Sequence, residues 1–236
     1  MKRYKSDIPA DVEERLVKNY RRKRTANTYL VQYRVTECVH KGIVVGLRSY
    51  TRDGALVRET PLKDGLKHGR EFTWTEDGHL ELIEPYFEGK IHGTAKQYDD
   101  QGHVIGTYKM VHGTGYDIWR SSCGDGRLAI SEIFTMRDGL LHGYEWWVNA
   151  DQHSVWHERH WSEGQYHGIE RMWNASGKLK RGYPKYWIKG QGVIRREYLR
   201  AARSDATLPT FEARANEPRR RFPAEIEEVI QIKTSG

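Results

Sequence analysis

Gly65-Leu-Lys-His-Gly69, Gly89-Lys-Ile-His-Gly93, Gly139-Leu-Leu-His-Gly143 and Gly164-Gln-Tyr-His-Gly168 are four copies of one short motif. Three weaker copies extend the series. Gly42-Ile-Val-Val-Gly46 lacks the histidine, while Val111-His-Gly-Thr-Gly115 and Ile188-Lys-Gly-Gln-Gly192 read as lacking the first glycine. The closing glycines fall at 46, 69, 93, 115, 143, 168 and 192, so the chain repeats itself every 22 to 28 residues. A second mark follows each closing glycine at a near-constant distance: Asp53-Gly54, Asp77-Gly78, Gln101-Gly102, Asp125-Gly126 and Ser176-Gly177, decayed to Asp151-Gln152 in the fifth unit. Between the marks lie short aromatic and β-branched runs such as Phe72-Thr-Trp74 and Tyr144-Glu-Trp-Trp147.

Asp-Gly pairs accept positive φ cheaply, as tight hairpin turns require. Runs of six to eight residues between such turns are strands, and they leave no room for a helix of ten residues. One unit is therefore strand, Asp-Gly turn, strand, Gly-x-x-His-Gly turn. Seven units predict about fourteen strands in an elongated antiparallel sheet whose ends need capping. The copies at 111–115 and 188–192 depart from the motif, so a bend or a binding surface is expected to interrupt the array near residues 106–138.

This tandem pattern over residues 42 to 192 resembles the MORN-repeat variant of bacterial proteins often labelled antitoxins. The resemblance implies a hairpin-repeat sheet that binds or scaffolds, and it allows phospholipid binding, which some MORN-type proteins show.

The rest of the composition narrows the class. The chain has 236 residues, enough for a sizeable core, with a net charge of +7. No apolar run approaches a bilayer span, and the basic N-terminus has no apolar stretch behind it to make a secretory signal. Cys38 and Cys123 are the only cysteines, which suits a reducing cytoplasm. The charge is uneven, at +6 over residues 1–34, −1 over 35–194 and +2 over 195–236. All eight tryptophans and all eleven histidines lie between His40 and Trp187. The expected organisation is thus a basic N-terminal helix and first strand (1–34), about seven hairpin repeats (35–198), and a linker with a C-terminal capping segment (199–236).

Residues 7–24 predict the N-terminal helix, because Ile8, Val12, Leu16 and Tyr20 recur every four residues and Pro9 suits a first turn. Arg203–Pro218 is polar and reads as an extended linker. Ala224–Ile232 suits a short helix with Ile226, Val229 and Ile230 on one side. One or both ends are expected to cover the sheet's apolar face or block its edge.

The polar residues point away from catalysis. Equivalent histidines at 68, 92, 142 and 167 sit two strands apart, roughly 9.6 Å, too far to share a metal, so each is expected to serve its own turn. Glu71, Glu145 and Glu170 recur two residues beyond the His-Gly pair and read as a ladder facing basic residues on neighbouring strands. No nucleophile elbow, phosphate loop or Cys-x-x-Cys is present. No cofactor, metal or enzymatic activity is expected. The tryptophans exceed what one face of small hairpins needs, so Trp119, Trp146, Trp147, Trp156, Trp161 and Trp173 are candidate protein-binding anchors. Neighbours such as Trp146 and Trp147 point to opposite faces of a strand, so one of the two is core. Lys18, Arg21, Arg22, Lys23 and Arg24 are candidate anion-binding residues. The expected function is a non-enzymatic protein-binding module, the antitoxin or immunity member of a bacterial toxin or defence system, with a toxin or defence component as partner. The alternative is nucleic-acid or anionic-membrane binding through the N-terminal helix.

Overall fold

The computed structural model describes residues 4–24, 29–122 and 127–231. Cys123 and the Asp125-Gly126 turn lie outside them. The chain divides into two compact units, Met1–Gly113 and Thr114–Gly236. The division falls inside the interval where the repeat was expected to break.

In the first unit β1 (Glu13–Arg24), β2 (Tyr29–His40), β3 (Ile43–Thr51) and β4 (Leu56–Lys63) pair antiparallel in that order. They are followed by β5 (Leu66–Lys67) with β6 (Gly69–Trp74), β7 (Leu80–Phe87), β8 (Lys90–Ile91) with β9 (Gly93–Tyr98), and β10 (Val104–Val111). In the second unit the same succession runs through β11 (Thr114–Ser122), β12 (Leu128–Arg137), β13 (Leu140–Val148) and β14 (Val155–Ser162). It ends with β15 (Gln165–Tyr166), β16 (Gly168–Met172), β17 (Lys185–Ile188) and β18 (Gln191–Val193). Two helices follow, α1 (Arg195–Ala201) and α2 (Ala224–Gln231), with a 3-10 turn at Ala213–Asn216 between them. No helix among the described residues is long and apolar enough to cross a membrane.

Two turn designs alternate. At 41–42, 64–65, 88–89, 112–113, 138–139, 163–164 and 189–190, both residues have positive φ, with glycine second each time. These are type I′ turns, whose twist matches that of the strands they join. The weak copies therefore do possess their first glycine: Gly113 and Gly190 take it, and their motifs start two residues later than the closing glycine suggested. Measured between these turns, the repeat is 23 to 26 residues. The Asp-Gly marks are three-residue hairpins. Gly54 N–H donates to Thr51 O (3.1 Å), Thr51 N–H donates to Ala55 O (2.8 Å), and Gly54 sits at φ 90°. The pattern recurs at Gly78, Gly102 and Gly177. The residue opening these turns also accepts a backbone N–H through its side chain, as Thr51, Thr75, Asp99 and Asn174 do.

Two of the motif histidines serve the type I′ turn of the following repeat. His92 Nδ1 accepts the N–H of His112, and His167 Nδ1 accepts that of Lys189, each at 3.1 Å. A glycine of the later turn donates to the third motif residue of the earlier one: Gly89 to Lys67, Gly113 to Ile91, Gly164 to Leu141 and Gly190 to Tyr166. Four repeats thus dock on their predecessors through backbone donors that would otherwise be left unpaired. The closing glycine forms a bulge against the previous strand. At Gly168, φ is +149° and a Cβ would lie 2.7 Å from His160 Cβ. Gly168→Ala is expected to cost about 2–3 kcal/mol through backbone strain and the clash. A urea titration checks this, and an unchanged midpoint would contradict it.

Residues 13–24 are a strand, which corrects the expected helix. The four-residue stripe that suggested a helix is broken up: Ile8 is buried at 4% exposure, whereas Leu16 is 60% exposed. Pairing with β2 prevails because it supplies partners that an isolated helix lacks. Glu14, opposite Cys38, accepts from Thr36 Oγ1 (2.8 Å), Arg48 Nη1 (2.8 Å) and Tyr50 Oη (2.8 Å). The segment before it straps across the sheet. Ile8 fills the space that a side chain at Gly46 would occupy. Asp7 accepts the Arg70 backbone N–H at 2.7 Å, and Ser6 donates to Glu59.

Residues 203–218 pack rather than link. Leu208 is buried with Ile169, Tyr186 and Tyr198, and Phe211 lies against that cluster. His167 clamps the segment. Because its Nδ1 accepts a turn N–H, Nε2 carries the proton and donates to Thr207 Oγ1 at 2.9 Å. Helix α2 forms where expected, with Ile226 and Ile230 buried.

Candidate functional site

Alternation along β11 to β17 sorts the second unit's side chains onto two faces. One face carries Ile118, Ile133, Trp146, Glu158 and Arg171, with Ile133 opposite both Ile118 and Trp146, and Glu158 opposite both Trp146 and Arg171. The C-terminal segment seals it. Phe222 meets Trp146 edge-on with ring centres 5.4 Å apart, and Trp173 Nε1 donates to Asn216 O at 2.6 Å. Pro218 O accepts from Val155 N–H (3.0 Å) and Arg220 N–H donates to His153 O (2.9 Å), so the segment adds its backbone to the start of β14. Glu158 is the anchor, at 2% exposure. It accepts from Trp146 Nε1 (2.9 Å), Arg171 Nη1 (2.9 Å) and Arg220 Nε (2.6 Å). Arg220 also lies over the Trp173 ring, 5.0 Å from its centre.

The opposite face carries rings and carboxylates. Glu132 faces Trp119 on one side and Trp147 on the other, and Trp147 faces His157. One register step along, Phe134 faces Glu145, and Glu145 faces Arg159. The next step pairs Trp161 with Tyr166. Trp147 stacks on His157 (4.5 Å between centres), Trp161 meets Tyr166 (4.2 Å), and Tyr166 meets Trp187 (5.2 Å). The Arg159 guanidinium lies over both Trp147 (4.9 Å) and Tyr166 (5.3 Å). The indole N–H groups are aimed at the acids. Trp161 Nε1 donates to Glu145 Oε2 (2.6 Å) and Trp187 Nε1 to Glu170 Oε2 (3.1 Å). His157 Nε2 lies 3.0 Å from Glu170 Oε1. Trp147, Trp161, Tyr166 and Trp187 are half-buried, and Trp156 at the rim is 40% exposed.

The three carboxylates differ. Burial pushes Glu132 up. Burial also pushes Glu145 up, and the Trp161 hydrogen bond offsets only part of this. Burial would raise Glu170 as well, but His157, Trp187 and Arg159 hold it down to about 2. This depression below the ordinary 4.5 stabilises the fold fully above about pH 4.5, and the contribution is lost as pH falls toward 2. The loss is on the order of 3 kcal/mol. Urea titrations between pH 5 and pH 2.5 should show it, and Glu170→Gln should remove that part of the slope. A slope identical in both proteins would contradict the assignment.

The structure therefore divides the sequence-predicted anchors. Trp119, Trp147, Trp156 and Trp161 belong to the open face or its rim. Trp146 (6% exposed) and Trp173 (2%) are core, under the C-terminal segment, and are withdrawn as anchors. Trp187, Arg159 and Tyr166 join the site. Register alone marks Arg159, directly opposite Glu145 of the glutamate ladder; Tyr166 stands opposite Trp161, and Trp187 opposite Gly168, two residues before Glu170. Lys18 is exposed in β1. Arg21, Arg22, Lys23 and Arg24 also lie in β1, and their side chains are outside those described. No protein-family model matches the chain, and no curated protein matches it in sequence.

Proposed function

We propose that this chain is a non-enzymatic protein-binding module that grips its partner through the open face of the second unit. The contrast between the two faces carries this reading. One is sealed by the chain's own C-terminal segment, while the other presents half-buried rings around held carboxylates. Trp and Tyr dominate interface hot spots, and groups already fixed by neighbours lose little freedom on binding. Glu132, Glu145 and Glu170 share this face with two bases, Arg159 opposite Glu145 and Lys185 opposite Glu170, which leaves one negative charge in excess, so the fitting partner presents lysine or arginine beside an apolar patch. The resemblance to MORN-type repeats supports binding over catalysis. Within it, the antitoxin or immunity role, acting in the cytoplasm on a bacterial toxin or defence component, is the reading we adopt. A photo-reactive amino acid placed at Trp147 or Trp156 should crosslink one specific protein in the source cell, whereas the same group at Lys178 should not. Equal crosslinking from all three positions, or no specific product, would sink the proposal.

A second reading rests on strand pairing. β1 pairs with β2 from Glu13↔Val39 to Arg24↔Tyr29, whereas the β2–β3 register ends at Tyr33↔Thr51. The basic run Arg21–Arg24 is therefore carried on a two-stranded stretch beyond β3, a form that can follow a polyanion backbone. Binding to nucleic acid or anionic vesicles at low salt, lost on deleting residues 1–24, would support it. Binding that survives the deletion would remove it.

A further inference from the structure

The sealed face of the second unit is not filled completely. A cleft of about 900 Å³ remains between the sheet and the C-terminal segment. Its lining includes five arginines and three glutamates. Glu158 is shared by Arg171 and Arg220, which leaves one positive charge in excess at the cleft floor. Glu212 is paired with Arg214. The remaining charged lining groups are Arg219, Arg221 and Glu217, and both arginines are exposed. The cleft as a whole therefore carries an excess of two positive charges.

Its wall is rigid where those arginines sit. The backbone on either side of Arg219 is bonded to β14 and its approach, and Arg219 itself forms a bridge with Ser154. In such an extended stretch Arg220 turns to Glu158 on the cleft floor, while Arg219 and Arg221, two residues apart, project together to the other side and line the exposed mouth of the cleft. Guanidinium forks recognise phosphate oxygens two at a time. The volume is several times that of a single phosphate and lies in the range of small-molecule sites.

The geometry points to a binding site for a small phosphorylated ligand, held as a dianion by Arg219 and Arg221 at the mouth of the cleft. It is separate from the open face and does not depend on that face binding a protein. An occupant would bridge the C-terminal segment to the sheet and so stabilise the folded form.

The test is calorimetry and thermal unfolding of the full chain with pyrophosphate, ATP, inorganic phosphate and citrate at low ionic strength. Pyrophosphate or ATP should bind and raise Tm, citrate should bind at least tenfold more weakly, and affinity should fall with salt. The exposed double substitution Arg219→Ala/Arg221→Ala should lose tenfold or more in affinity, while Arg196→Ala/Arg203→Ala should leave it unchanged. Inorganic phosphate binding as tightly as ATP would assign the site to the phosphate group alone, and ATP binding more tightly would assign it to a nucleotide; both outcomes support the site. No heat and no Tm shift at millimolar ligand, equal binding of citrate, or equal loss in both double variants would overturn it.

Discussion

Glu158→Ala is expected to destabilise the second unit by about 3–5 kcal/mol, the usual cost of breaking a buried ion pair from one side. Arg171 is only 3% exposed, and the substitution removes the carboxylate it shares with Arg220. Trp146 Nε1 loses its acceptor in the same step. The effect reaches beyond the pair because Arg220 belongs to the segment that seals this face. The variant should therefore unfold earlier in urea and also lose protection of residues 203–231 in hydrogen exchange before global unfolding. Glu158→Gln keeps one acceptor and should lose less. A Glu158→Ala protein with wild-type stability would mean that the C-terminal segment is held by apolar contacts alone.

Trp173→Ala is the second large effect, also about 3–5 kcal/mol, as expected for emptying a fully buried indole. It further leaves Asn216 O without its donor. Trp156→Ala, at the exposed rim, should stay within about 0.5 kcal/mol. The two substitutions thus separate a core tryptophan from a surface one in neighbouring repeats. Arg220 touches both Glu158 and Trp173, so the combined Glu158→Ala/Trp173→Ala loss should fall short of the sum of the single losses. Additive losses would show that the ion pair and the indole hold the segment independently.

The comparison of sequence with structure follows from what each signal measures. Turn chemistry is local, so the x-Gly and Asp-Gly pairs announced nearly every hairpin from the chain alone. The bulge at the closing glycine shifted the apparent motif at 111–115 and 188–192, where the φ values place the turn at Gly113 and Gly190 instead. The N-terminal helix failed for a non-local reason. A period of four over residues 8–20 is a weak local preference, and it yielded to the pairing of β1 with β2 and to the burial of Ile8 against Gly46. The tryptophans mark the other limit. Alternation correctly sends Trp146 and Trp147 to opposite faces, but it cannot say which face another part of the chain will cover. That choice was made by residues 203–231, of which Arg203–Pro218 reads in sequence as a polar linker and conceals Leu208 and Phe211.

The central claim is that the second unit has one tryptophan face sealed by its own C-terminus and one left open for a partner. Oxidative footprinting of the native protein, read tryptophan by tryptophan, tests it directly. Trp156 should label fastest, Trp147 and Trp161 at intermediate rates, and Trp146 and Trp173 only on unfolding. Labelling of Trp146 as fast as that of its neighbour Trp147 would contradict the account.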